Sequence, residues 1–160
     1  MKLEGFTSFR DPQEIDFTGL DRFVICGPTG SGKSSLLDAL TFALFAEAPR
    51  GGNIPELISQ GAKSFSITLD FQLGTERYRV LRSRRNSGPG QNVLEQLRSD
   101  GEVPLCDDAD TVTARVQTLL GLSFDHFTQA AFLPQGRFAQ FLRARPAVRQ
   151  DLLIRLLRLF

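Results

Sequence analysis

Histidine occurs once in the 160 residues, at position 126, and cysteine twice, at 26 and 106. Two cysteines so far apart make no disulfide framework and read as reduced thiols. A single histidine set between Phe124 and Phe127 reads as a packing residue, because a metal site needs several ligands together. No apolar run approaches the roughly 20 residues of a membrane span, and no signal-peptide pattern opens the chain. A cytoplasmic protein without membrane contact is expected. Net charge is nearly absent as well, at +1, but the balance hides an asymmetry. Residues 137–160 hold six Arg against Asp151, a net +5, which leaves −4 on the rest of the chain.

What is present is organised around Gly27-Pro28-Thr29-Gly30-Ser31-Gly32-Lys33-Ser34, which fits the phosphate-binding pattern G-x-x-x-x-G-K-[ST]. Its flanks are those the motif requires. Phe23-Val24-Ile25-Cys26 predicts a short buried parallel strand, and Ser35 to Phe45 predicts a helix rich in good formers. Glycines let the backbone curl until successive N–H groups and the helix N-terminus face a phosphate. Lys33 is then placed for the β- and γ-phosphates, Ser34 for Mg²⁺, and Ser35 closes the segment. A bound nucleoside triphosphate, ATP with Mg²⁺, is the expectation.

With 41% hydrophobic and 23% charged residues, the composition is that of one ordinary globular domain. Met1 to Phe6 and Gln13 to Phe17 predict two short strands joined by the turn Thr7–Pro12. Pro49 to Asn53 is a breaker, and Pro55 opens one helical turn. Phe65, Ile67, Leu69, Phe71 and Leu73 alternate with polar residues, the pattern of a half-buried antiparallel strand. Gly74-Thr75 turns it into a partner, Tyr78 to Arg82. A polar loop follows, then a hairpin of Val93–Arg98 and Glu102–Leu105. Asp110 is the expected cap of a helix through Leu120, stopped by Gly121. A second helix is expected from Ser123 to Phe132, and a third from Pro146 to the end. That last helix is strongly apolar, which fits either a truncated chain or a helix docked in its own core.

A phosphate loop alone does not specify a reaction. No N-K-x-D segment reads a guanine base, and Asp16-Phe17-Thr18-Gly19 precedes the loop, the wrong order for a GTPase. An arginine-bearing lid of the small-molecule kinases is missing too. The one candidate for a Walker B strand is Ile67-Thr68-Leu69-Asp70, and there Asp70 falls on the polar face. The chain thus carries a phosphate cradle without an evident general base.

Ile25 through Leu40, and on through Arg50, resembles the Walker A region of the SbcC family, SMC-like ATPases of DNA double-strand-break processing. Phe127-Thr128-Gln129-Ala130-Ala131-Phe132-Leu133-Pro134-Gln135-Gly136-Arg137-Phe138 resembles that family's Q-loop, and Leu3 to Phe9 its first strand and turn. The resemblance implies an α/β P-loop NTPase of the ABC/SMC head type: an N-terminal lobe over residues 1–160 with an antiparallel β-subdomain and a helical Q-loop segment. It implies that Gln135 meets Mg²⁺ and senses the γ-phosphate, joining Lys33 as a catalytic residue, and that the Thr7–Arg10 turn lies near the nucleotide. Arg10 is then a phosphate contact or a solvated turn residue. The signature motif, Walker B and the switch histidine are absent, so the implied partners are the protein's own C-terminal lobe, a second SbcC head and the nuclease SbcD. Double-stranded DNA is the further partner. Arg77, Arg79, Arg82, Arg84 and Arg85 are either its backbone contacts or the charges of a protected edge strand. An ABC transporter ATPase, or an SMC- or RecF-type clamp without a nuclease, is the alternative.

Overall fold

The computed structural model describes residues 1–20, 22–50 and 53–130. The chain divides into two compact units between Thr113 and Ala114. The first is built on one six-stranded sheet in the order β2-β1-β3-β4-β5-β6. Its strands are β1 (Lys2–Glu4), β2 (Gln13–Glu14), β3 (Ser64–Leu73), β4 (Glu76–Arg85), β5 (Asn92–Arg98) and β6 (Gly101–Cys106). Every pairing is antiparallel. The long β3–β4 hairpin runs in unbroken register from Ser64↔Arg85 to Leu73↔Glu76, as the alternation of Phe65, Ile67 and Leu69 predicts. Those three side chains are buried while Asp70 and Gln72 stay wet, so the sheet has one dry face.

Helix α1 (Lys33–Phe45) supplies the layer on that face. Phe42 of α1, Phe65 of β3 and Phe6 after β1 meet in an aromatic cluster, with centroids 5.0 Å to 6.0 Å apart and two of the three contacts edge-to-face. Leu3, Ala39, Phe45, Ile67, Val80 and Leu94 complete a core with almost no accessible surface. The expected turn after the Pro49–Asn53 breaker is α2 (Ile54–Leu57), opened by a reciprocal capping box between Asn53 and Glu56.

Two expectations are corrected. Phe23–Cys26 forms no strand: the segment is unpaired, with Phe23 at 53% and Val24 at 84% exposure, Cys26 exposed and only Ile25 half-buried. An apolar strand is stable only between partner strands, and none of the six pairs with it. A parallel P-loop sheet is therefore not found among the described residues, and Cys26 is exposed. The arginines of β4 are likewise not one cationic surface. Arg79 pairs with Asp70 and Glu102, and Arg82 is buried. Arg84 lies over the Phe42 ring at 5.8 Å and bonds to Asn92. Only Arg77 and Arg85 are exposed.

Helix α3 (Ala109–Leu120) is capped by Asp108 instead of Asp110, for the Asp108 carboxylate accepts from the Thr111 N–H at 3.0 Å and the Thr111 hydroxyl at 3.0 Å. Gly121, at φ 66°, ends it as expected. The second unit contains the remainder of α3 and α4 (Phe124–Ala130). Ser123 caps α4 and holds the His126 ring at 3.0 Å, which gives that histidine a structural task. Among the described residues no helix is long and apolar enough to cross a membrane.

Candidate functional site

The loop 27–32 reaches α1 through glycines that adopt a backbone L-residues avoid. Gly30 has φ 85° and Gly32 φ 90°. At Gly32 the close approach matters as much, since a Cβ there would stand 3.1 Å from the Phe9 ring and 3.3 Å from Ser8. The Thr7–Arg10 turn thus packs on the loop. It is itself strained: Thr7, a β-branched residue, sits at φ 46°, a genuine outlier. Its carbonyl accepts from the Ser59 hydroxyl at 2.8 Å and its N–H donates to the Leu57 carbonyl at 2.8 Å. Those two bonds hold the turn so that Ser8 faces the helix.

Together these elements enclose a cleft of about 280 Å³ lined by Ser8, Thr29, Gly30, Gly32, Lys33, Ser34, Ser35 and Arg50. Among the described residues it is lined by two cations and several hydroxyls and by no carboxylate. The first turn of α1 is free of acidic residues, so the positive end of the helix dipole is undiminished. Lys33 folds back over the loop, its ammonium donating to the carbonyls of Gly27 and Pro28, each at 2.7 Å. Ser34 is exposed at the helix start. Such a donor set fits a polyphosphate, and the Ser34 hydroxyl fits a Mg²⁺ that keeps most of its water and takes few protein ligands.

Arg50, which the sequence places in a breaker and at the end of the Walker A resemblance without a role of its own, lines the cleft. Its Nε donates to Asp38 Oδ2 at 2.5 Å and its Nη2 to Ser35 Oγ at 3.2 Å, while Ser35 Oγ lies 3.2 Å from Ser8 Oγ. Asp38 is 4% exposed, and the pairing crosses 12 positions with no local pattern to announce it. The network links the strained turn, α1 and the segment after α1 around one rim of the cleft.

Of Gly27 through Ser35, the cleft takes Thr29, Gly30, Gly32, Lys33, Ser34 and Ser35, while Gly27 and Pro28 hold the Lys33 ammonium through their carbonyls. Arg10 does not join them: its side chain lines a separate cleft of about 220 Å³ with Glu4, Gly5, Lys63 and Ser64, whereas Ser8, two positions earlier, faces the loop. Gln135 lies outside the described residues, as does the expected helix from Pro146. Asp70 is bound through both carboxylate oxygens by Arg79, at 2.7 Å and 2.9 Å, which holds its carboxyl below the usual range. It is thereby engaged on the wet face of β3, as its place in the alternation implied.

The AAA domain family matches residues 1–159. The SbcC component of the nuclease SbcCD from Deinococcus radiodurans is 44% identical over 96% of the chain, and that of Bacillus subtilis 39% identical over 99%. A probable DNA double-strand break repair Rad50 ATPase from Aquifex aeolicus is 38% identical over 98%. The chain covers 17%, 15% and 16% of these three proteins, so it spans about a sixth of the length of the curated relatives it matches.

Proposed function

The chain belongs to the AAA domain family, a P-loop NTPase domain of mixed α/β build around an antiparallel sheet, and from that premise we propose that it is the ATP-binding N-terminal lobe of an SbcC-type DNA-repair ATPase. In this reading the N–H groups at the start of α1 cradle the phosphates, Lys33 neutralises the β- and γ-phosphates, and Arg50 stands at the rim. Ser34 and Gln135 would hold Mg²⁺, which when bound would offset negative charge on the phosphates. Gln135, neutral and able to exchange partners, reports on the γ-phosphate. Arg10 belongs to this machinery only if its turn rearranges toward the loop.

One observation carries the reading: among the described residues the cleft is lined by cations and hydroxyls but no carboxylate. It can bind a triphosphate, yet none of the described residues lining it can orient and deprotonate an attacking water. The missing acid belongs to the protein's C-terminal lobe, and a second head completes the site on dimerisation. The relatives named as nuclease components and break-repair ATPases support a DNA-repair role with the nuclease SbcD and double-stranded DNA as partners over a role in transport, and a cytoplasmic location belongs to the same proposal.

The test is titration of the full-length protein with a fluorescent ATP analogue. Wild type should bind, Lys33→Ala should lose binding by two orders of magnitude or so, and a metallophosphoesterase should co-purify. Equal affinity in Lys33→Ala would remove the phosphate-cradle assignment.

A further inference from the structure

The largest fully buried side chain among the described residues is a cation: Arg82 of β4, with no accessible surface. No carboxylate among the described residues pairs with it. Its guanidinium is met by neutral acceptors instead. Nε donates to the Ala43 carbonyl at 2.7 Å, Nη2 to the Leu44 carbonyl at 3.3 Å and to Thr113 Oγ1 at 3.0 Å, and Nη1 to Asn92 Oδ1 at 3.2 Å. Ala43 and Leu44 lie in the last turn of α1, where helix carbonyls have no partner within the helix. That turn has no basic residue of its own. A strand arginine therefore caps the negative end of the phosphate-loop helix, a favourable place for a cation. Burial and the neighbouring Arg84 push the guanidinium down to about 10, so it keeps its charge at neutral pH.

The rest of the packing explains why such an anchor is needed. Nine of the 13 residues of α1 are buried, on nearly every face. Apolar contact is non-directional, so it holds the helix against the sheet without defining where it stands along its axis. The segment entering the loop, residues 22–28, is not fixed by strand pairing. At the C-terminal end of α1 a guanidinium fork bonded to two successive carbonyls supplies direction, as the bonds of Asp38 and Ser35 do nearer its start. A 13-residue helix is roughly 20 Å long, so a tilt of about 5° at the capped end displaces the loop by nearly 2 Å. A displacement of about 1 Å can cost on the order of 100-fold in a positioned site.

We propose that Arg82 is a positioning residue for the phosphate cradle: from β4 it sets the axial and angular position of α1, and so where the loop's N–H groups stand. This rests on the reading that the cradle binds a nucleoside triphosphate. Because Arg82 lies opposite Ile67 of β3 and Asn92 of β5, this side chain also carries a shift of the sheet to the helix end opposite the cradle.

The test compares full-length wild type with Arg82→Met, Arg82→Lys and, as a control, Thr113→Val, which spares both helix carbonyl bonds. Each is titrated with a fluorescent ATP analogue well below its own Tm, and Tm is measured without nucleotide. Arg82→Met should weaken binding on the order of tenfold, Arg82→Lys should fall between it and wild type, and Thr113→Val should bind as wild type does. A purely structural residue would lower Tm and leave affinity in the folded protein unchanged. Wild-type affinity in folded Arg82→Met overturns the proposal, and so does wild-type affinity in Arg82→Lys should Arg82→Met not fold. Failure of wild type itself to bind would instead remove the underlying nucleotide reading, which separates the two.

Discussion

Asp38 and Arg50 show how a site residue escapes a reading by pattern. Asp38 is buried within α1, and Arg50 reaches it from beyond the helix with a side chain 57% exposed. The two ends of the pair are therefore worth different amounts. An ion pair with one exposed partner adds little by itself, of order 1 kcal/mol or less. Stripping the partner from a buried carboxylate costs more, about 1–3 kcal/mol. Arg50→Ala should thus destabilise the protein by about 1–2 kcal/mol, or a few degrees in Tm for a domain of this size. Asp38→Asn combined with Arg50→Ala should be less harmful than Arg50→Ala alone, because no charge is then left buried. Thermal denaturation of the two singles and the double closes the cycle, and strict additivity would show that the two side chains do not act as a pair. Gly27 to Ser35 was legible because its residues are consecutive and the backbone itself makes the site. The Asp38–Arg50–Ser35–Ser8 network joins four separate positions, and Arg10 lines a different cleft from Ser8 because residues two apart in a turn present their side chains in different directions.

Among the elements, the β3–β4 hairpin was readable because one face is buried and the other wet, which writes the period into the sequence. The cap of α3 was less so. Asp107, Asp108 and Asp110 stand within four positions, and each is an acceptable cap by type. Backbone geometry chooses Asp108, whose carboxylate takes the Thr111 N–H and the Thr111 hydroxyl. Those bonds favour the ionised form and hold its carboxyl below the ordinary 3.8, the backbone bond from Thr111 acting most strongly. A carboxyl depressed in the folded state stabilises fully above its unfolded value and loses that contribution as pH falls through the folded value. Wild type should therefore exceed Asp108→Ala in stability at pH about 6, and the gap should narrow as pH drops below 3.8. Melts followed by circular dichroism across that range would check it. A gap that stays constant down to about pH 2 would mean the carboxylate charge is not what caps the helix.

At the scale of the molecule, the described residues build a six-stranded antiparallel sheet with α1 on its dry face, yet among them the approach to the phosphate loop is unpaired. Phe23-Val24-Ile25-Cys26 reads as a buried strand and is exposed but for the half-buried Ile25, because its composition is written for neighbours that the six strands do not supply. Under the reading proposed here, the remainder of the protein covers this segment, and the same remainder brings the acid that the cleft lacks. The two deficits should then be repaired together. In the isolated 160-residue chain, amides of residues 22–28 should exchange with solvent near the rate of an open loop, nucleotide should bind weakly, and hydrolysis should be negligible. In the full-length protein the same amides should be protected, and ATPase activity should appear. Hydrogen exchange followed by mass spectrometry reads the first, and a phosphate-release assay the second. Protection without activity would place the catalytic acid in yet another partner. Activity in the isolated chain at the full-length rate would mean that its own carboxylates suffice, and the two-lobe reading would fall.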